Sequence, residues 1–221
     1  MIISHKLKLI FIHIPKNAGT FIWHLLKKID ENIVIYWNTK YSSYGLKTLH
    51  NKSTDIKELC IFDYSEYIVF CVIRNPIERL ISNYNYIKGN VSYPTHNIVK
   101  NQTFKEFITY NFSKKDLFET NNISQYDFIY NKENKLLVNK IIRYERLFEE
   151  LKEMLTSIES FNMSKIELEK KLNIYINKSK KFITSIDKEL LELILLYIPE
   201  IEKEMNIFNY NIEQYISHQI E

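Results

Sequence analysis

Glycine and proline are scarce in this chain: three and four among 221 residues. So little turn-forming material leaves no room for a flexible linker, and one domain over residues 1–221 is the expectation. Cysteine is scarcer still. Cys60 and Cys71 make neither a disulfide framework nor a metal-ligand spacing, and no metal is expected. Cys71 lies inside the apolar run Ile68-Val69-Phe70-Cys71-Val72-Ile73, where it serves as a small buried hydrophobe. No run of 18 apolar residues occurs, and no charged n-region and apolar h-region precede a cleavage site. The expectation is a soluble protein, cytoplasmic or otherwise, without a membrane span. A strong charge of either sign is also missing, since the net charge is +3 with signs mixed along the chain. That excludes the concentrated basic stripe of a nucleic-acid binder, while suiting an anionic cofactor or acidic polysaccharide. Internal repeats are absent too.

What is present is a hydrophobic content of 45%, enough to build a core. Abundant Ile, Asn, Lys and Tyr suggest base-composition bias, so a run of Asn or Lys carries little functional weight. The stretch from Leu7 to Leu26 organises the rest. Leu7-Lys8-Leu9-Ile10-Phe11-Ile12 is apolar and β-branched, a polar turn follows at Pro15, and helical periodicity begins at Thr20. A strand, a loop and a helix N-terminus aim backbone N–H groups and the helix dipole at an anion. Lys16 adds a full charge at the loop's mouth. Gly19 is expected to let the backbone approach a ligand, and Thr20 to cap the helix and offer a hydroxyl.

This loop is not a Walker loop, whose lysine follows the last glycine. Here Lys16 directly follows Pro15 and precedes Gly19, which disfavours magnesium–ATP chemistry of that kind. His13-Ile14-Pro15-Lys16-Asn17-Ala18-Gly19-Thr20 resembles instead the 5′-phosphosulfate loop of sulfotransferases, P-K-[TN]-[GA]-G-T. In that family the loop holds 3′-phosphoadenosine 5′-phosphosulfate (PAPS), and 3′,5′-ADP is the product.

A second junction follows the apolar strand from Tyr67 to Ile73. Arg74 sits at its end, Pro76 fits the first turn of a helix, and Ser82 lies two turns further on. In an open parallel sheet both junctions face the same carboxyl edge. Arg74-Asn75-Pro76-Ile77-Glu78-Arg79-Leu80-Ile81-Ser82-Asn83-Tyr84 is similar to the 3′-phosphate motif of the carbohydrate sulfotransferases, R-N-P-x-x-R-x-x-S-x-Y, with every fixed position kept. The resemblance runs on through Gln125 to Ile129, matched to a later strand, and through Arg143-Tyr144-Glu145-Arg146-Leu147. It continues in Asn177-Lys178-Ser179 and in a closing helix from Leu193 to Tyr210. Elsewhere Asn32 to Tyr36 is expected as a short strand and Tyr86 to Asn101 as a long loop. Trp37 to Thr48 is expected as a loop as well. Ser53 or Thr54 is the expected cap of a helical stretch.

The resemblance implies roles. Pro15, Lys16, Asn17, Ala18, Gly19, Thr20 and Phe21 would hold the phosphosulfate, with Lys16 meeting the oxygen between phosphorus and sulfur. Arg74 and Ser82 would grip the 3′-phosphate. His50 falls where the family has H-x-[ST]-[AS]-x-E-I, a match displaced by about one residue, and is the candidate general base. Asp55 and Glu145 are the carboxylate alternatives. His13 is either a satisfied core residue or a support behind the site.

These readings converge on an α/β fold with a P-loop-like core, a mainly parallel sheet flanked by helices, and a helical C-terminal half. The implied activity is sulfuryl transfer from PAPS to a hydroxyl acceptor, a carbohydrate or glycoconjugate. The rival enzyme is an ATP-dependent kinase; a second rival is an idle glycan- or nucleotide-binding module.

Overall fold

The computed structural model describes residues 1–37, 49–60, 62–113, 124–173, 182–183 and 186–212. In chain order its strands are β1 (Ile2–Ser4), β2 (Leu9–Ile12), β3 (Val34–Ile35), β4 (Ile68–Ile73) and β5 (Lys140–Arg143). The first helices are α1 (Gly19–Ile29), α2 (Ile56–Leu59), α3 (Pro76–Gly89), α4 (His96–Val99) and α5 (Phe104–Ser113). They are followed by α6 (Gln125–Ile129), α7 (Leu147–Thr156), α8 (Lys165–Asn173), α9 (Lys188–Tyr197) and α10 (Glu200–Ile207).

The chain forms two compact units, each discontinuous in sequence: residues 1–74 with 125–177, and residues 75–124 with 178–221. The first unit holds one sheet in the order β3-β1-β2-β4-β5. β2, β4 and β5 pair in parallel, and β1 alone runs against its neighbours. The apolar run expected as the first strand is therefore β2, the second arm of a hairpin with β1. Lys8 turns that hairpin with a left-handed φ of 49°. β1, β2 and most of β4 are buried, which is why β2 and β4 are continuous apolar runs rather than alternating ones. Ile22, Leu25 and Leu26 of α1 pack on Leu9, Phe11, Phe70 and Val72, together with Leu151 and Leu155 of α7. Each such side chain contributes about 1.5–3 kcal/mol of burial.

The second unit has its own core, built from Ile77, Leu80, Ile81 and Tyr84 of α3, Phe104 and Phe107 of α5, and Leu191, Ile194 and Met205. Asn75 caps α3, its Oδ1 accepting from the N–H groups of Ile77 at 3.0 Å and Glu78 at 3.2 Å, and Pro76 occupies the first turn as expected.

Several local expectations need correction. Gln125 to Ile129, matched to a strand, is helix α6. The stretch from Tyr86 to Asn101 is not one long loop, because α3 runs to Gly89 and α4 follows. The closing helix is two helices, interrupted at Ile198 and Pro199, since proline cannot continue the ladder of α9. Neither Ser53 nor Thr54 caps the helical stretch. Both lie in a 3-10 turn, where the carboxylate of Asp55 accepts from the N–H of Lys52 at 2.8 Å. Nearly all of the Trp37–Thr48 loop, and the Asn177-Lys178-Ser179 segment, lie outside the described residues.

Candidate functional site

The loop between β2 and α1 is a strained piece of backbone held by side chains. Lys16 and Ala18 both take left-handed conformations, with φ of 67° and 60°. Neither is glycine, so each costs about 1–2 kcal/mol. Asn17 lies between them with 1% of its surface exposed. Its Nδ2 donates to the carbonyl of Val72 at 2.8 Å and to Oε1 of Gln125 at 2.6 Å. Two acceptors claim the two amide hydrogens, so the loop is pinned to the end of β4.

Ala18 stands at the N-cap of α1, and no side chain caps the helix there. Ser, Thr, Asp and Asn are favoured by about 1 kcal/mol at N-caps with extended backbone, a conformation Ala18 does not take. Thr20 does not fill this role, because it sits inside the first turn with its side chain exposed. No acidic residue lies in that turn. Among the described residues, neither a side-chain cap nor a first-turn acid meets the positive end of the α1 dipole. Pro15, Gly19 and Phe21 are buried, and Phe21 meets the ring of Phe148 edge-on at 5.6 Å.

The protein's own packing already demands a glycine at position 19. A Cβ there would stand 1.6 Å from Nε2 of His13. The imidazole of His13 occupies that space, and it meets the ring of His50 at 4.6 Å between centroids. The backbone carbonyl of His13 lies 3.1 Å from Nδ1 of His50. A carbonyl only accepts, so Nδ1 of His50 carries the hydrogen, and in the neutral ring Nε2 is the acceptor. His13 itself has an Nδ1 shut off from solvent and without a partner. Burial first, then His50, the amino terminus and Lys16, push its imidazole well below the ordinary histidine range. It is the neutral support of the pair.

Arg74 follows β4, with its guanidinium over the ring of Tyr144 at 4.2 Å from the centroid. Such stacking is worth about 0.5–1 kcal/mol at an exposed site and holds the planar fork in place. The six fixed positions of the motif beginning at Arg74 divide cleanly. Asn75, Pro76, Arg79 and Tyr84 are buried, with Asn75 capping α3 and Tyr84 donating to the carbonyl of Gln102 at 2.7 Å. Arg74 and Ser82 are the two left half-exposed. Ser82 belongs to α3 in the second unit.

In the first unit, then, Lys16 and Arg74 head the turns after neighbouring parallel strands, and His50 reaches the end of β2. Of the two carboxylate alternatives, Asp55 is buried and engaged with the N–H of Lys52, while Glu145 is exposed in a turn after β5. Sequence reasoning did not single out Gln125 or Tyr144. Gln125 is fully buried, and nothing in Gln125-Tyr126-Asp127-Phe128-Ile129 marks its amide as the partner of two loops.

Lys16, Arg74 and a helix start without a side-chain cap lie at one edge of the mostly parallel sheet of this α/β protein. The family to which this architecture belongs is given by comparison: the model described as "Sulfotransferase family" matches residues 1–211, through both units. The chain belongs to the sulfotransferase family, whose members are transferases that move sulfuryl groups. No curated protein and no solved structure matches it. No helix among the described residues is long and apolar enough to cross a membrane, and those residues hold no cluster of metal-ligating side chains.

Proposed function

We propose that the chain moves a sulfuryl group from PAPS to a hydroxyl of a carbohydrate or glycoconjugate. The observation that carries this is the placement of Lys16 and Arg74 at the ends of neighbouring parallel strands, their turns joined through Asn17 and Gln125. The residues fit the donor: two cations, an uncapped helix start with no acid in its first turn, and an exposed Thr20 hydroxyl.

Backbone N–H groups from Asn17 to Phe21, with Thr20, hold the phosphosulfate. Arg74 takes the 3′-phosphate through its forked donors, and Ser82 keeps the same assignment from its sequence motif. His50 accepts the acceptor's hydroxyl proton at Nε2 as the oxygen attacks sulfur. Lys16 stabilises the negative charge left on the phosphate oxygen when its bond to sulfur breaks. Sulfuryl transfer of this kind requires positioning and electrostatic stabilisation rather than a covalent enzyme intermediate.

The test is incubation with sulfur-labelled PAPS and a panel of glycan acceptors, following label in the acceptor and 3′,5′-ADP released in equal amount. Label transferred from PAPS supports the reading. Phosphoryl transfer from ATP to the same panel, with PAPS inert, would replace it with a kinase.

A further inference from the structure

Gln125 has no surface exposed, and its amide reaches both loops of the candidate site. Its Oε1 accepts from Nδ2 of Asn17 at 2.6 Å and from the backbone N–H of Arg74 at 2.9 Å. Its Nε2 donates to the carbonyl of Arg74, also at 2.9 Å. One amide therefore takes both backbone polar groups of Arg74, the residue just beyond the end of β4. With the same oxygen it seizes the residue between the two left-handed positions of the first loop. Asn17 cannot turn its amide away, since its other hydrogen is committed to Val72.

Resting on the donor assignment above, we propose that Gln125 is a positioning residue that sets the separation between the 5′-side and 3′-side phosphate loops. It touches neither phosphate. It acts through Asn17 on the loop headed by Lys16 and through the backbone of Arg74 on the other. A buried amide is suited to this because it offers an acceptor and a donor in one plane without a charge to desolvate. Two independent anchors for Arg74 follow: the backbone is held by Gln125, and the guanidinium rests on Tyr144.

The consequence is specific. A nucleotide carrying both phosphates is sensitive to the separation of the loops, whereas one carrying only the 5′-phosphate senses the first loop alone. Gln125→Met keeps an unbranched chain of similar volume and removes every hydrogen bond. The affinities of 3′,5′-ADP and 5′-AMP are measured by calorimetric titration for the wild type and this variant. The expected result is that preference for 3′,5′-ADP over 5′-AMP falls at least fivefold, with the melting temperature recorded alongside. Gln125→Glu, which retains the acceptor facing Asn17 and the N–H of Arg74, gives a smaller fall; if the methionine variant does not fold, this variant carries the test. An unchanged preference in the folded variant overturns the assignment of Gln125 and leaves the sulfotransferase reading intact. A wild type without preference for the 3′-phosphate refutes the donor assignment itself.

Discussion

Gly19→Ala is the sharpest perturbation available in the loop. The new methyl would stand 1.6 Å from Nε2 of His13. Unstrained carbon contacts lie near 3.5–4.0 Å, so the imidazole must retreat by about 2 Å. Overpacking of that kind costs about 1–3 kcal/mol. Alanine returns roughly 0.5–1 kcal/mol through its better helix propensity, because Gly19 begins α1 and has no left-handed φ to satisfy. A net loss of about 1–2 kcal/mol remains, a fall in melting temperature of roughly 2–8 °C for a chain of this size. The retreating ring also displaces His50, whose Nδ1–H is bound to the carbonyl of the same residue. Scanning calorimetry of the ligand-free protein reads the stability, and a double-mutant cycle with His13→Ala reads the cause. In the His13→Ala background, Gly19→Ala should be neutral or stabilising. A ligand-free Gly19→Ala protein that melts with the wild type, losing only nucleotide affinity, would refute this reasoning and restore the glycine to ligand approach.

Further predictions are these. Lys16→Ala should lower kcat by about 10²-fold or more, the scale of one transition-state electrostatic contact, with a smaller change in the affinity for 3′,5′-ADP; equal losses in both would make Lys16 a binding residue only. Because the folded protein disfavours protonated His13, the unfolded chain takes up a proton that the folded one refuses. Stability from this residue is thus complete above about pH 6.5 and declines at lower pH, by up to about 1.4 kcal/mol per unit. Urea titrations between pH 7 and pH 5 should show a shallower decline for His13→Phe, and identical slopes would exclude His13 as the source. In the second unit, burial pulls the Arg79 guanidinium below its ordinary pKa while Glu204 pushes it back up. Arg79→Leu takes the cation from beside that buried carboxylate, leaving it the Ser124 hydroxyl, and should cost about 3–5 kcal/mol, most of it recovered when Glu204→Leu is added; an additive pair in denaturant melts would show that the two charges are not coupled.

The parts of the molecule visible in its sequence are those with a one-dimensional signature. The continuous apolar run of β4 followed by Arg74 and Pro76 defines a strand-to-helix turn, and His13-Ile14-Pro15-Lys16-Asn17-Ala18-Gly19-Thr20 defines another. Both form where the pattern puts them. What stays hidden depends on tertiary contact. The need for glycine at position 19 comes in part from a ring six positions earlier that folds back on it, a contact that spacing alone does not show. α6 is only five residues long, too short for helical periodicity to set against the strand that the resemblance implied. Gln125 is an ordinary polar residue until the fold buries it between two loops. β1 escapes because three residues, Ile2 to Ser4, carry no alternation and no strong turn signal before β2.

The claim on which the account rests is that Lys16 and Arg74 address one nucleotide. Titration of 3′,5′-ADP and 5′-AMP into the wild type and Arg74→Ala tests it most directly. Loss of one charge-assisted contact is worth about 1.5–3 kcal/mol. The wild type should therefore prefer 3′,5′-ADP by at least about tenfold, and Arg74→Ala should lose most of that preference, keeping only what Ser82 supplies. Equal affinities in the wild type, or a preference undiminished in Arg74→Ala, would contradict the account.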